Sequence, residues 1–593
     1  MFTTVQARFL CRKCLRQTTG RRVQLISTVP FRKHLKDEAK QRRINNGKAK
    51  PKVPTARGSA NENWELTVGI EVHAQLNTTH KLFSEAATSF NDPPNSHVAL
   101  VDAAFPGAQP IFQKETLIPA LRAAIALGCN VHRKSEFDRK HYFYWDQPAG
   151  YQITQYYHPL AKDGFITLYD YDGIAPEDGK EVRVGIKQIQ MEQDTAKTLH
   201  QLPSTHLLDF NRVSHPLIEI ITLPQIHHPA TAAACVRKIQ AILNAVDAAV
   251  LGMELGGLRA DVNVSVRHRN QPEGQGVGAE YSGVKGLGQR TEIKNLSSFK
   301  AVEDAIKAER NRQIDVLEAG GIIEGETRGW NLGSTGTRKL RGKEGEVDYR
   351  YMPDPDLGPV IVGKDLVDYI RRSLPPLPDD HFKVLTSSDR HYNLAPKDAK
   401  TLINLDDGDR VEYYKNVTDE VRKGLLNYRD GSRSYAESDE AVVKAGKMTG
   451  NWVLHELGGL LATSGTPWEE NPVGESALAS ILTFLSLKKI TGTTAKTLLS
   501  LKFDDPRPIP QIIAEDDLTL RPMSEEELRG LANEVMRGNE RMVKAVKEKG
   551  EVGKVGWFVG QMVRRGVEGR VEAREAERVV REMLGVGDVG DRK

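Results

Sequence analysis

At 593 residues, with 39% hydrophobic and 27% charged side chains, the chain is too long for one core, and three or four domains are expected. No apolar run approaches the ~18 residues of a membrane span, so a soluble protein is expected. The formal charge of +4 hides an asymmetry: residues 1–57 hold sixteen Lys or Arg against Asp37 and Glu38, a net +14, which leaves −10 for the remainder. Nucleic-acid binding would then depend on local basic patches, not on a global basic field.

The first acid of the chain is Asp37, and before it Arg recurs among Ser, Thr and apolar residues. This is the composition of a mitochondrial transit peptide, without the unbroken apolar core of a secretory signal. A disordered basic tail that binds RNA is the competing reading. "KQRRINNGKAKPKVPTARGSA" then reads as a disordered linker, and the folded part is expected to begin near Trp64. Cys11 and Cys14 form a CxxC, but no second CxxC or paired His follows to complete a zinc site. Cys129 and Cys235 read as buried small hydrophobes.

The first strand signal is "VGIEVHAQL". Side chains two apart on a strand share a face, so Glu71 and His73 stand together, opposite Ile70 and Val72. "GIKQIQMEQD" groups Ile186 with Gln188, Gln190, Glu192 and Asp194, against Ile189 and Met191. "PLIEIITLP" sets Glu219 among Leu217, Ile218, Ile220 and Ile221. "ADVNVSVRHR" separates Val262, Val264 and Val266 from Asp261, Asn263, Ser265 and Arg267. "TEIKN" separates Glu292 and Lys294 from Ile293. A half-solvated antiparallel sheet is the bland reading of any one of these strands. Against it, the polar faces carry short acids, His and Asn instead of a Lys/Glu mixture, although Asp and Asn are disfavoured inside strands.

Carboxylates grouped with one imidazole suit Mg²⁺ or Mn²⁺ better than zinc. Mg²⁺ commonly accompanies a nucleoside triphosphate. The chain has no GxxxxGK[ST], no GxGxxG between strand and helix, and no HRD/DFG pair, so ATP would need a sheet-based cradle. Arg139 and Lys140 precede an aromatic run, Tyr142, Phe143, Tyr144 and Trp145, on which a base could stack; an aromatic core segment is the alternative. Lys294 and Asn295 are placed to reach phosphates, although Lys294 could equally pair with Glu292.

Seven strings occur in order: "GIEVHAQLNT", "DRKHYFYWDQPAGYQITQY", "GIKQIQMEQDTAK", "DFNRVSHPLIEI", "LRADVNVSV", "EIKNLSSF" and "DYRYMPDPDLGP". Together they closely resemble the B-subunit family of glutamyl-tRNA(Gln) amidotransferases. The resemblance runs from about Glu65 to Pro359 and resumes at "GNWVLHELGGLL" and "GWFVGQMVRR". It implies an α+β fold: a glutamine-synthetase-like catalytic domain with an antiparallel sheet cradle, followed by all-α helical and tail domains. The implied boundaries are 1–60 for transit peptide and linker, 61–372 for the catalytic domain, 373–446 for a helical connector and 447–593 for a tRNA-binding tail.

The resemblance also implies an activity. In such enzymes this chain activates the γ-carboxylate of tRNA-bound glutamate with ATP and Mg²⁺. An amidase partner releases ammonia from glutamine, a small third partner braces the heterotrimer, and the product is Gln-tRNA(Gln), here in the mitochondrial matrix. The family's catalytic and metal positions map onto Glu71, His73, Glu192, Asp261 and Glu292. Arg139, Lys140, Lys294 and Asn295 are the candidate nucleotide contacts. Two departures stand out: Gln190 replaces the family's His and Gln193 its second acid, while Ala260 stands where Cys is frequent. Gln193 therefore brings no charge to a metal. A non-catalytic tRNA scaffold and a stand-alone metal-dependent hydrolase are the competing functions.

Residues 231–250 and 298–320 read as helices, the second closed by Gly320 and Gly321. "GSTGTRKLRGKEGEVDYRY" is a candidate phosphate or tRNA-end loop, or a plain hairpin. Residues 380–593 show helical periodicity, and Ser524 with Glu527 forms a capping-box signature. Lys and Arg cluster from "RGNERMVKAVKEKG" to "GQMVRRGVEGR", a candidate tRNA contact. Residues 428–446 look like a polar insertion.

Overall fold

The computed structural model describes residues 63–141, 143–201, 205–249, 251–270, 287–342, 349–387, 391–430, 433–520, 523–566 and 570–586. The expected transit peptide and linker, Cys11, Cys14, Tyr142 and part of the candidate phosphate loop lie outside these residues.

Among the described residues, sixteen strands lie between Trp64 and Ile361: β1 (Trp64–Gln75), β2 (Asn130–Val131), β3 (Lys134–Ser135), β4 (Asp138–His141), β5 (Tyr151–Thr154), β6 (Ala161–Tyr169) and β7 (Glu181–Gln193), then β8 (Lys197–Gln201), β9 (Thr205–Asp209), β10 (Pro216–Thr222), β11 (Leu258–His268), β12 (Thr291–Leu296), β13 (Glu326–Gly329), β14 (Arg338–Gly342), β15 (Met352–Pro353) and β16 (Val360–Ile361). Nine form one sheet in the order β14-β13-β12-β11-β1-β10-β7-β6-β2. All its pairings are antiparallel except β12 with β13. β1 is at the middle because it is long and its inward residues are uniformly aliphatic. Val68, Ile70 and Val72 are at most 1% exposed, and each such burial contributes about 1.5–3 kcal/mol.

The helices Pro229–Ala245 and Phe299–Glu318 bury their apolar stripes on that side of the sheet. The second is capped by Ser298, whose side chain accepts from the Ala301 N–H, and closed by Gly320 at φ +77°. Their counterparts in the sheet are Ile218, Ile220, Ile189, Met191, Val262, Val264 and Ile293. The other side of the sheet is left to the polar residues.

One strand departs from simple alternation. Ile186 lies in the core with Val184, Ile189 and Met191, not with the glutamines. The pairing of β10 with β7 shifts register between Ile221 and Thr222, and such an irregularity swaps the faces of the residues beyond it.

The α+β reading holds. Beyond Lys364–Ser373 the described chain is almost entirely helical, with one short hairpin pairing Arg429 with Ser434. Its apolar side chains form two further cores, one from Leu385 to Ile513 and one from Leu528 to Leu584. The boundary expected at 446/447 cuts through the first of these. Val442 and Ala445, within the apparent polar insertion, pack in the same core as Trp452 and Val453. Ser524 and Glu527 cap the helix Glu525–Arg537 reciprocally, at 3.2 and 2.7 Å.

Candidate active site

Residues directly opposite on paired strands share a face. Asp261 of β11 stands opposite Glu71, and His73 is flanked by Arg259 of β11 and Glu219 of β10. Glu292 of β12 opposes Asn263, and Gln190 of β7 opposes Glu219. The sheet thus gathers Glu71, His73, Glu192, Asp261 and Glu292 on its polar side. It is not a solvated side: Glu192, Asp261 and Glu219 are 2%, 4% and 7% exposed.

The donors fall into two trios. Glu71, Asp261 and Glu292 each offer an oxygen, all within 4.8 Å of one another; His73, Glu192 and Glu219 do the same. In the first trio Lys294 Nζ lies 3.0 Å from Glu292 Oε1 and 3.3 Å from Asp261 Oδ2. Asn263 Nδ2 donates to Glu71 Oε1 at 2.9 Å, and Thr327 Oγ1 to Glu292 Oε2 at 3.1 Å. Burial raises the Glu71 carboxyl, and Glu292 adds to it. Against burial, Lys294 holds Asp261 below its ordinary value, and Asp261 and Glu292 hold the Lys294 ammonium above its own.

In the second trio His73 Nε2 is 3.7 Å from Glu219 Oε1. Gln190 Nε2 donates to Glu219 Oε2 at 2.6 Å, and Gln152 Nε2 to Glu192 Oε1 at 2.6 Å. Burial, reinforced by Arg259, pushes the imidazole down to about 4, so it is neutral at pH 7. Burial, with Glu192 and Glu71, pushes Glu219 up to about 8. Lys140 is held well above its ordinary value in spite of burial, chiefly by Glu192.

Two polar atoms of this trio are buried and unpartnered among the described residues: His73 Nδ1 and Glu192 Oε2. Buried polar groups are rarely left so. A neutral imidazole with carboxylates is a donor set suited to Mg²⁺ or Mn²⁺, and both trios fit a divalent cation.

The four candidate nucleotide contacts separate. Lys140 and Lys294 flank the two trios. Asn295, at φ +61°, meets the first trio only through its backbone N–H, which donates to Asp261 Oδ1 at 2.8 Å. Arg139 belongs elsewhere: it is paired at 2.8 Å with both Asp354 and Asp356. Beyond it Phe143, Tyr144 and Trp145 are 88%, 44% and 56% exposed, with Trp145 stacked on His206, so this segment is not an aromatic core. Gln193 lines a separate cavity of about 210 Å³, with Phe83, Asp102 and Gln147.

Sequence reasoning singled out Glu219 as buried but did not place it in the site. The signal was there, because a lone carboxylate between isoleucines needs a partner. Arg259 was also missed. It is tied to Asp194 at 3.3 Å and, with Arg212 and His215, lines a cavity of about 300 Å³ that opens beside His73.

Residues 66–368 match the family described as GatB/GatE catalytic domain, and residues 438–584 the one described as GatB domain. The mitochondrial B subunit of glutamyl-tRNA(Gln) amidotransferase from Ajellomyces dermatitidis is 60% identical over 557 residues, 94% of this chain and 89% of the relative. The chain belongs to the B-subunit family of glutamyl-tRNA(Gln) amidotransferases. B subunits of the same name from Talaromyces marneffei and Aspergillus fumigatus are 59% and 56% identical, over 94% and 96% of this chain and 91% and 92% of their own lengths. The GatB/GatE catalytic match contains every residue of both trios and both flanking lysines. The GatB match covers the last core and reaches back into the middle one.

Proposed function

We propose that this chain is the mitochondrial subunit that activates the γ-carboxylate of Glu-tRNA(Gln) with ATP and converts it to the amide of Gln-tRNA(Gln). Its partners in this reading are an amidase that releases ammonia from glutamine and a small third subunit. The observation that carries the reading is the pair of three-donor clusters on one buried sheet face, each flanked by a lysine held in its charged form.

A carboxylate is a poor acyl donor because its leaving group would be oxide; phosphorylation supplies phosphate instead. Glu71, Asp261 and Glu292, and His73, Glu192 and Glu219, would each hold a divalent cation, which would supply charge neutralisation to the triphosphate and to the charge that spreads in phosphoryl transfer. Lys294 and Lys140 add fixed positive charge beside them. The proton given up by incoming ammonium goes to a carboxylate of the face; the imidazole of His73, pushed down to about 4, is the weaker acceptor. Gln152 of β5 donates to Glu192 Oε1 and both residues are buried; exclusion of water there would limit hydrolysis of an acyl phosphate. The basic helices of the last core are the proposed tRNA contact, which would be salt-sensitive.

The test is the assembled heterotrimer, co-purified with its amidase partner and assayed for single-turnover, ATP-dependent conversion of Glu-tRNA(Gln). Glu71→Ala is expected to abolish conversion while tRNA binding persists. Normal conversion by that variant would leave the chain a tRNA scaffold.

A further inference from the structure

Gln190 replaces the histidine of the resembling family pattern, and the whole of its side-chain amide is engaged. Its Nε2 donates to Glu219 Oε2 at 2.6 Å and to Thr154 Oγ1 at 3.2 Å; its Oε1 accepts from Gln188 Nε2 at 2.6 Å. With the amino end of the amide toward Glu219, its carbonyl oxygen meets the Gln188 N–H, so both ends of the Gln190 side chain are matched. Gln188 and Gln190 are 7% and 5% exposed, so water competes little for these bonds. With Oε2 gripped, Glu219 presents Oε1 to His73, on the strand directly opposite. Glu192 is held likewise: Gln152 takes Oε1, and Oε2 is left unpartnered.

We propose that Gln190 is a positioning residue: by holding one oxygen of Glu219 it aims the other at the space shared with His73 and Glu192, and so sets the cation affinity of that trio. This rests on the cation reading given above. Groups that orient metal ligands typically alter affinity by about 10–100-fold when removed. A neutral amide donates without adding positive charge beside the cation, as a protonated histidine would.

The experiment is Mn²⁺ titration of the assembled heterotrimer by electron paramagnetic resonance, with thermal denaturation as the control for folding. Gln190→Met keeps the length and removes the donor. It is expected to weaken one class of Mn²⁺ site by about ten-fold or more, and Gln190→His, which restores a donor, to recover most of it. The Gln190→Met/Glu219→Gln pair should bind Mn²⁺ no more weakly than Glu219→Gln alone, because Gln190 acts through Glu219. Additive losses, or unchanged Mn²⁺ affinity in Gln190→Met, overturn the positioning role and leave the cation reading standing. Unchanged affinity in Glu219→Gln itself overturns both the positioning role and the cation reading of this trio.

Discussion

His73 and Glu219 stand directly opposite each other across β1 and β10, with Nε2 3.7 Å from Oε1, and the other ring nitrogen of His73 has no partner among the described residues. At that separation they do not hydrogen-bond. The two groups face a common space instead of satisfying one another. Replacing His73 by Ala is expected to lower single-turnover amide formation by about 10²–10³-fold, the range for removing one transition-state electrostatic contact. Filter binding of tRNA should be unchanged. A rate within three-fold or so of the parent, with intact tRNA binding, would remove His73 from the site.

The pair Lys81–Asp102 is wholly buried, 2.8 Å apart with both side chains 0% exposed. Asp102 also accepts from the Ala99 N–H at 2.9 Å, and Lys81 donates to the Phe210 carbonyl at 3.1 Å. Burial lowers the Lys81 ammonium from its ordinary value. Removing one member strands the other. Lys81→Met is expected to cost about 3–5 kcal/mol in urea unfolding. The double variant Lys81→Met/Asp102→Leu should recover much of that, because no unpaired charge remains. A single variant as stable as the parent would contradict a desolvated pair.

Alternation alone exposed the acidic side of the sheet, because five strands each kept short polar residues in one register. Three things were not legible. The register shift opposite Ile221 and Thr222 depends on a partner strand some 30 residues away, so Ile186 was put on the wrong side. Arg139 and Lys140 were both expected at the nucleotide, although neighbours in a strand face opposite ways; only Lys140 faces the acids. Residues 428–446 read as polar, yet Val442 and Ala445 are 0% exposed and Tyr435 and Ala441 pack against the same core, because a few apolar side chains suffice to anchor a mainly polar segment.

His215 allows a pH test away from the trios. Burial pushes its imidazole down to about 4, and its Nε2 accepts from the Ser89 N–H at 3.4 Å. The unfolded chain binds the proton with the ordinary value near 6.5, so between about 6.5 and 4 the unfolded state holds more protons. This contribution to stability is fully present above pH 6.5 and is lost as pH falls through 4. It amounts to about 3 kcal/mol at most, from 1.36 kcal/mol per unit. Urea midpoints measured between pH 7 and pH 4.5 should fall with a slope that flattens in His215→Gln. An identical slope in the variant would assign the acid sensitivity to other groups.

Lys294 offers the sharpest separation of structure from chemistry. It lies 3.0 Å from Glu292 and 3.3 Å from Asp261, so part of its charge neutralises the trio in the absence of any cation. If that were its whole role, Lys294→Met would only expose three carboxylates to mutual repulsion. The variant would lose stability and bind Mn²⁺ more tightly, because a competing cation is gone. If Lys294 also meets the nucleotide's phosphates, a charge-assisted contact worth about 1.5–3 kcal/mol disappears as well. The expected result is therefore a split: Mn²⁺ affinity raised, and the KM for ATP raised by about ten-fold or more. Lys294→Arg, which keeps the charge but not the compact ammonium, should preserve stability while restoring KM only in part. An unchanged KM for ATP in Lys294→Met, with tighter Mn²⁺ binding, would reduce Lys294 to a counter-ion of the sheet.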